Sequence, residues 1–220
     1  MIELSRAILD KNARLAERAR GLFLGREVAV MNLVSSPGSG KTTLLQRTIT
    51  GLGERMRCAV IVGDCATDND ARCLRGTGAP AVQVTTGTVC HLDAHMVLHA
   101  VEDLNLAETD LLFIENVGNL VCPAAFDLGE DRRVVLTSVT EGEDKPKKYP
   151  AIFHRADAVV LTKTDLIEAV EFDREAALGH IREVAPAARV FEVSAKTGAG
   201  MEGWGAYLEE CVAGKSGVPA

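Results

Sequence analysis

Positive charge is in short supply in this chain: 24 Lys and Arg stand against 31 Asp and Glu, for a net charge of -7 and a sequence pI near 5.3. That balance leaves no electrostatic footprint for nucleic acid or an anionic membrane. Long hydrophobic runs are missing as well, since the most apolar stretches, VAVMNLV and DLLFI, are far too short to span a bilayer. The opening MIELSRAILDKNARLAERARG lacks the basic start, apolar middle and small-residue cleavage site of a secretory signal. Six cysteines among 220 residues do not amount to a disulfide scaffold, so some are read as reduced thiols or metal ligands in a cytoplasmic protein. No repeat, low-complexity segment or linker divides the chain, and one domain over residues 1–220 is expected.

What is present reads as an α/β unit. The chain is 47% hydrophobic and 25% charged, the balance of an ordinary globular protein. Residues from about 3 to 24 read as an amphipathic helix in which Leu4, Ile8, Leu15, Ala19 and Leu22 share a face, with Gly21 and Gly25 marking its end. Short apolar runs then alternate with helical stretches: EVAVMNLVS, CAVIVGD, AVQVTT, DLLFIEN, RRVVLTSVT, DAVVLTK and RVFEVSA. Most are continuous and rich in β-branched residues, the pattern of strands covered on both faces. The expectation is a mostly parallel β-sheet of about seven strands with helices on both faces, and ligands at the strands' carboxyl ends.

The first such strand runs into SSPGSGKTT, residues 35–43, which opens the helix TTLLQRTI. Strand, glycine loop and helix in that order form a Walker A phosphate cradle, so a P-loop NTPase is expected. The N–H groups of Gly38, Ser39, Gly40 and Lys41 would turn onto the β-phosphate, aided by the helix N-terminus. Lys41 would reach the β- and γ-phosphates and Thr42 would ligate Mg²⁺, with Thr43 beside it. One departure stands out, Ser35 in the place of the usual first glycine.

The base is read later. VVLTKTDL, residues 159–166, resembles the N-K-x-D motif, with Thr162 in place of Asn. The Asp165 carboxylate can accept from the N1–H and 2-amino group of guanine, whereas adenine would leave it unpaired. The Lys163 stem would cover one face of the base. VSAKTG, residues 193–198, resembles the S-A-K loop that closes over guanine and supplies Ser194, Ala195 and Lys196. The ordered set favours GTP and GDP over adenine nucleotides.

Acidic residues stand at two strand ends, Asp64 and Glu115, and Asp70 follows the first of them. Such groups can hold Mg²⁺ or orient an attacking water, although capping or a solvated loop serves equally for Asp68 and Asp70. Gly118 could present its N–H to the γ-phosphate, and loss of that phosphate would free the following segment, which carries Cys122.

A second constellation lies in TVCHLDAHMVLHA, residues 88–100, which holds Cys90, His91, His95 and His99 and three of the chain's five histidines. Spacing of four places His91, His95 and His99 on one helical stripe. Thiolate with imidazole suits Ni²⁺, Zn²⁺ or Cu better than Mg²⁺ or Ca²⁺. A third ligand should come from elsewhere, and Cys122, also just beyond a core strand, is the candidate; two inert buried thiols are the alternative. Cys58 and Cys211 read as core, and Cys65 and Cys73 are left open.

With these residues placed, the chain resembles the HypB family, the GTPases that help insert nickel into nickel–iron hydrogenase. The resemblance rests on NLVSSPGSGKTTLL, VGDCATDNDARCLR, GTVCHLDAHMV, ENVGNLVCPAAFDLGED, EGEDKPKKYP, LTKTDL and SAKTG. It implies a GTPase domain, a GTP-dependent homodimer, and a HypA-type nickel protein as maturation partner; with no glutamine next to Glu115 and no evident arginine finger, slow intrinsic hydrolysis is expected. The resemblance also implies a nickel or zinc site at the dimer interface matching Cys90, His91 and Cys122, with His95 and His99 as extra ligands for a second ion, and a lysine such as Lys148 acting across the dimer. The cysteine-rich N-terminal motif and polyhistidine stretch of some relatives have no counterpart here, so no storage site is expected at the N-terminus. A urease-type nickel GTPase would carry Cys-Pro-His where this chain has VCPAAF. A small-molecule kinase using ATP would need an arginine-bearing lid and an acceptor pocket, and a metal carrier with a structural nucleotide needs no switch at all.

Overall fold

The structure, a computed structural model, describes residues 2–215. Helix α1 (Ile2–Leu24) comes first. Its buried side chains are Asn12, Ala16, Ala19 and Phe23, at helical spacing, while Leu15 and Leu22 flank that stripe and Ile8 is 51% exposed. The inward face is therefore turned from the one expected, and Leu4 lies outside the described side chains.

Seven strands follow: β1 (Ala29–Ser35), β2 (Cys58–Asp64), β3 (Ala81–Thr85), β4 (Leu111–Glu115), β5 (Arg132–Ser138), β6 (Ala158–Thr162) and β7 (Arg189–Glu192). They form one sheet in the order β3-β2-β4-β1-β5-β6-β7, and every pairing is parallel. The continuous apolar runs have their reason here. Strands β1, β4 and β6 are buried along their whole length, as covered central strands must be, while β3 and β7 at the two edges are largely half-buried.

Successive residues of a strand point to opposite faces, so each face has its own core. One face packs Met31, Leu33, Val60 and Phe113 against α2 (Lys41–Leu52), α3 (Asn69–Arg75) and α8 (Met201–Ala213). Trp204 of α8 is completely buried there, and its indole N–H donates to Thr48 Oγ1 at 3.0 Å. The other face packs Val30, Ile61 and Ile114 against α1 and α4 (Ala94–Ala100). Farther along it, Val34, Val135 and Val159 meet α6 (Pro150–Phe153) and α7 (Arg174–Val184), with α5 (Lys145–Lys148) just before them in the chain. No helix among the described residues is long and apolar enough to cross a membrane.

The loops that leave the carboxyl ends of β1, β2, β4 and β6 converge on one rim, and one close approach sets the rim's shape. A Cβ on Gly63 would lie 2.7 Å from Cγ of Leu92, the residue after His91. Gly63→Ala therefore drives a methyl into a fully buried leucine. It is expected to cost about 2 kcal/mol, read as a melting-temperature drop of roughly 5 °C at this chain length. Thermal unfolding followed by circular dichroism measures it; an unchanged midpoint would show that Leu92 is not held there.

Candidate functional site

Residues 36–40 link β1 to α2 as a tight loop, with Gly38 and Gly40 at φ +75° and +91°, the left-handed region open to glycine. Lys41 is buried at the head of α2, and its ammonium donates to Ser35 Oγ at 2.9 Å. The serine that replaces the usual first glycine thus holds the P-loop lysine. The Thr42 hydroxyl donates to Glu115 Oε1 at 2.7 Å, while Glu115 Oε2 is buried without a hydrogen-bond partner. Burial pushes the Glu115 carboxyl up to about 7 despite Lys41 and Thr42, and burial likewise lowers Lys41, with the Glu115 charge as the main opposing influence. Both groups are thus short of compensating charge, which a phosphate and a cation would supply.

Asp64 behaves differently. Backbone N–H groups of Ala66 and Thr67 donate to its Oδ1 at 2.8 Å and hold it below the ordinary carboxylate range. Asp70, half-buried in the first turn of α3, adds negative charge near Lys41 and Glu115, whereas Asp68 faces solvent and pairs with Arg72 at 2.7 Å. Gly118 lies against the P-loop, where a Cβ would meet Pro37 at 3.0 Å.

Beside the P-loop is a cavity of about 190 Å³ lined by residues that include Gly40, Thr43, Lys163, Asp165, Ala195 and Lys196. Ser194 donates to Asp165 Oδ1 at 2.6 Å, orienting that carboxylate. Lys163 adopts φ +59° and its ammonium donates to Gly38 O at 2.7 Å, so its stem lies along the loop. The Thr162 hydroxyl donates to Ser39 O at 2.7 Å, fastening β6 to the P-loop where the usual motif has an asparagine.

The sulfur and imidazole groups also converge. Cys90 and His91 precede Asp93, whose side chain accepts from Met96 N–H and starts α4. Cys122 opens a 3₁₀ turn, Cys122–Ala125, with Pro123 in its first turn. The two Sγ atoms are 2.9 Å apart, and one nitrogen of His91 lies within 4.8 Å of both. Asn119 joins the two segments by donating to Cys90 O at 3.2 Å. The His91 ring rests on Phe126 with centroids 3.9 Å apart; its Nδ1 is buried without a partner, and burial lowers its pKa, keeping the imidazole in the neutral form that ligates metals. The hydrogen bond with Cys122 holds the Cys90 thiol above its ordinary value, so proton loss must accompany metal binding. Two soft sulfurs and an unpartnered imidazole nitrogen fit Ni²⁺ or Zn²⁺.

His95 and His99 do not join this cluster. The helix begins at Ala94, so His91 does not share a stripe with them. Both are exposed and line a groove with Leu15, Arg18 and Glu102. Lys148 is exposed and pairs with Asp144 at 2.8 Å. All six cysteines are free: Cys65 and Cys73 are exposed, Cys58 is buried with its thiol pushed up to about 12, and Cys211 is half-buried against the core.

A family model described as the CobW/HypB/UreG nucleotide-binding domain matches residues 29–192. Hydrogenase maturation factor HypB of Azotobacter vinelandii is 56% identical over 209 residues, spanning 95% of this chain and 69% of its own. The chain belongs to the HypB family. The crystal structure of HypB from Helicobacter pylori in complex with nickel superposes with a TM-score of 0.87 at 39% identity, over 92% of this chain and 95% of that one. HypB from Archaeoglobus fulgidus gives the same TM-score at 41% identity, over 92% of this chain and 99% of its own. The fold is that of a P-loop nucleotide-binding protein.

Three residues of this HypB-family site, Glu141, Asn32 and Asn116, lie within its motifs but have no role that the motifs assign. Glu141 reaches Ser39 Oγ at 2.8 Å, accepts from Ser138 N–H at 2.9 Å and pairs with Lys145 at 2.9 Å, tying EGEDKPKKYP to the P-loop. Its signal was the Ser-x-x-Glu spacing of Ser138 and Glu141, a capping box. Asn32 and Asn116 are buried and bonded to each other at 3.3 Å; an asparagine inside the apolar run VMNLV is the one visible hint.

The Glu115 shift makes a prediction about pH. Its folded-state value, about 7, stands above that of an unfolded glutamate, so the protein is most stable, as far as this group is concerned, below about pH 4.5 and loses that stability as pH rises through 7. Glu115→Gln removes the loss and keeps an acceptor for Thr42. At pH 8, without nucleotide, the variant should gain about 3 kcal/mol over wild type, and the gain should vanish near pH 4.5. Melting curves across that range decide it, and a difference that does not depend on pH would contradict the assignment.

Proposed function

We propose that this chain is a slow GTPase that uses its nucleotide state to control a nickel ion held by Cys90, His91 and Cys122, in the service of hydrogenase maturation. The observation that carries the reading is placement: Cys122 lies seven residues beyond Glu115, which is bonded to the P-loop threonine, and its sulfur meets Cys90 across the rim.

Each role follows from surroundings. Gly38, Ser39, Gly40 and Lys41 would cradle the phosphates, and Thr42, Asp64 and Glu115 would hold Mg²⁺, whose charge would relieve the penalised Glu115 carboxylate. Asp64, Asp70 and Glu115 are the acids available to orient an attacking water, Lys41 would offset charge on the γ-phosphate, and Gly118 would sense that phosphate. No glutamine adjoins Glu115, in keeping with slow turnover. Lys163, Asp165, Ser194, Ala195 and Lys196 would enclose guanine beside Thr43.

The metal is cargo. One chain offers two sulfurs and one nitrogen, while a closed centre takes four donors, so a second copy facing the rim would complete it. Val121, beside Cys122, is 65% exposed and could lie in such a contact. GTP would then favour the homodimer that holds nickel, and hydrolysis would loosen it for transfer to a HypA-type partner. Zinc competes for the same donors. Free thiols fit the reducing cytoplasm.

The test is metal content and oligomeric state with GDP and with a non-hydrolysable GTP analogue. The reading expects a dimer and tighter nickel binding with the analogue, by about 5–150-fold, a coupling of roughly 1–3 kcal/mol. Equal nickel release in both states, and from Lys41→Ala, would leave a carrier with a structural nucleotide. The base assignment has its own test. Asp165→Asn replaces an acceptor by a donor facing the guanine N1–H, so GDP affinity should fall by about 100-fold or more while xanthosine diphosphate, which offers an acceptor at that edge, gains. Calorimetric titration checks it, and unchanged GDP binding would remove Asp165 from the base site.

A further inference from the structure

Asn116 follows Glu115 and is 2% exposed. Its backbone N–H and both ends of its side-chain amide are engaged at that depth. Its backbone N–H donates to Leu33 O at 3.0 Å, its side-chain oxygen accepts from Val117 N–H at 3.0 Å and from Leu92 N–H at 3.1 Å, and its amide donates to Asn32 Oδ1. Leu92 is the neighbour of His91, and its side chain is wedged against Gly63, so this short stretch has little freedom of its own. A second route leaves Asn116 through Asn32. Asn32 donates to Glu130 Oε1 at 3.0 Å, and Arg133 clasps Glu130 while donating to Phe126 O at 2.9 Å. Phe126 carries the ring on which His91 rests.

We infer that Asn116 is the positioning residue that couples nucleotide state to the metal site, because it joins the strand end bonded to the P-loop with the backbone beside His91. The inference rests on the reading proposed above and adds the residue that transmits the signal. Any displacement of residues 115–118 must either carry Leu92 along or leave a buried N–H unpaired, and the second course is costly. A discrete pair of arrangements, rather than a gradual drift, is what such a buried network permits.

The experiment measures nickel affinity of the full chain by competition with a chromophoric chelator, at saturating GDP and at saturating GTP analogue. The quantity read is the ratio between the two states, which a merely destabilised protein would not change. In wild type the ratio should fall in the range of about 5–150, and in Asn116→Ala it should fall to within about twofold of one. A variant that keeps the wild-type ratio would overturn the inference and leave the proposed function standing. A ratio of one in wild type would instead sink the coupling reading itself, and the inference with it. A second measurement needs no variant and decides the matter if Asn116→Ala does not fold. Amide exchange of residues 90–93 in wild type should differ between the two nucleotides, and identical exchange would overturn the inference.

Discussion

The parallel pairing of β1 with β4 sets Leu33 opposite Glu115, and the rest of the rim depends on that register. Two residues after Leu33 the chain leaves the sheet as the P-loop, so the carboxyl group at the end of β4 arrives beside the threonine of α2. Slipping the pairing by one residue would turn Glu115 away from the loop and aim a neighbouring side chain there. The same strand is paired to β2 on its other side, with Val62 opposite Glu115, which brings Asp64 to the same rim. One central strand thus gathers the charged groups that a phosphate and a divalent ion would compensate.

Burial then does the chemical work. Around Lys41 and Glu115 it penalises both charged forms, so that the pair is costly until further charge arrives. At the end of β2 the opposite treatment is given to Asp64, whose carboxylate is held ionised by backbone N–H groups. At His91 burial keeps the ring neutral and leaves Nδ1 without a partner. Strand ends thus carry groups whose protonation is set locally, and the loops between them bring sulfur and nitrogen to one place.

The strands were legible because central parallel strands must be apolar on both faces, and seven runs with that property became seven strands. The P-loop was legible because it is a short contiguous segment whose geometry is local, and the fold brings the T-K-x-D and S-A-K segments to one cavity beside it. Two readings failed for lack of tertiary information. Leu4, Ile8, Leu15, Ala19 and Leu22 suggest one face of α1, but of these only Ala19 is among the described buried side chains, and the helix packs through Asn12, Ala16, Ala19 and Phe23, with Asn12 accepting from Ala94 N–H at 2.9 Å. Spacing alone runs the histidine stripe through His91, but Asp93 caps the helix after it. Beyond the asparagine inside VMNLV, the network of Asn32, Asn116, Glu130 and Arg133 leaves little mark in the sequence, since the Asn32–Glu130 bond spans 98 positions of the chain. Thr162 and Ser35 looked like departures from their motifs, and each proves to tie the P-loop by a hydroxyl.

The central claim is that Cys90, His91 and Cys122 share one ion. Nickel K-edge absorption of the loaded protein with bound GTP analogue tests it most directly. Two sulfur scatterers and at least one imidazole nitrogen per chain are expected, with one sulfur lost in Cys122→Ser. A shell of oxygen and nitrogen alone, unchanged by that substitution, would contradict the account.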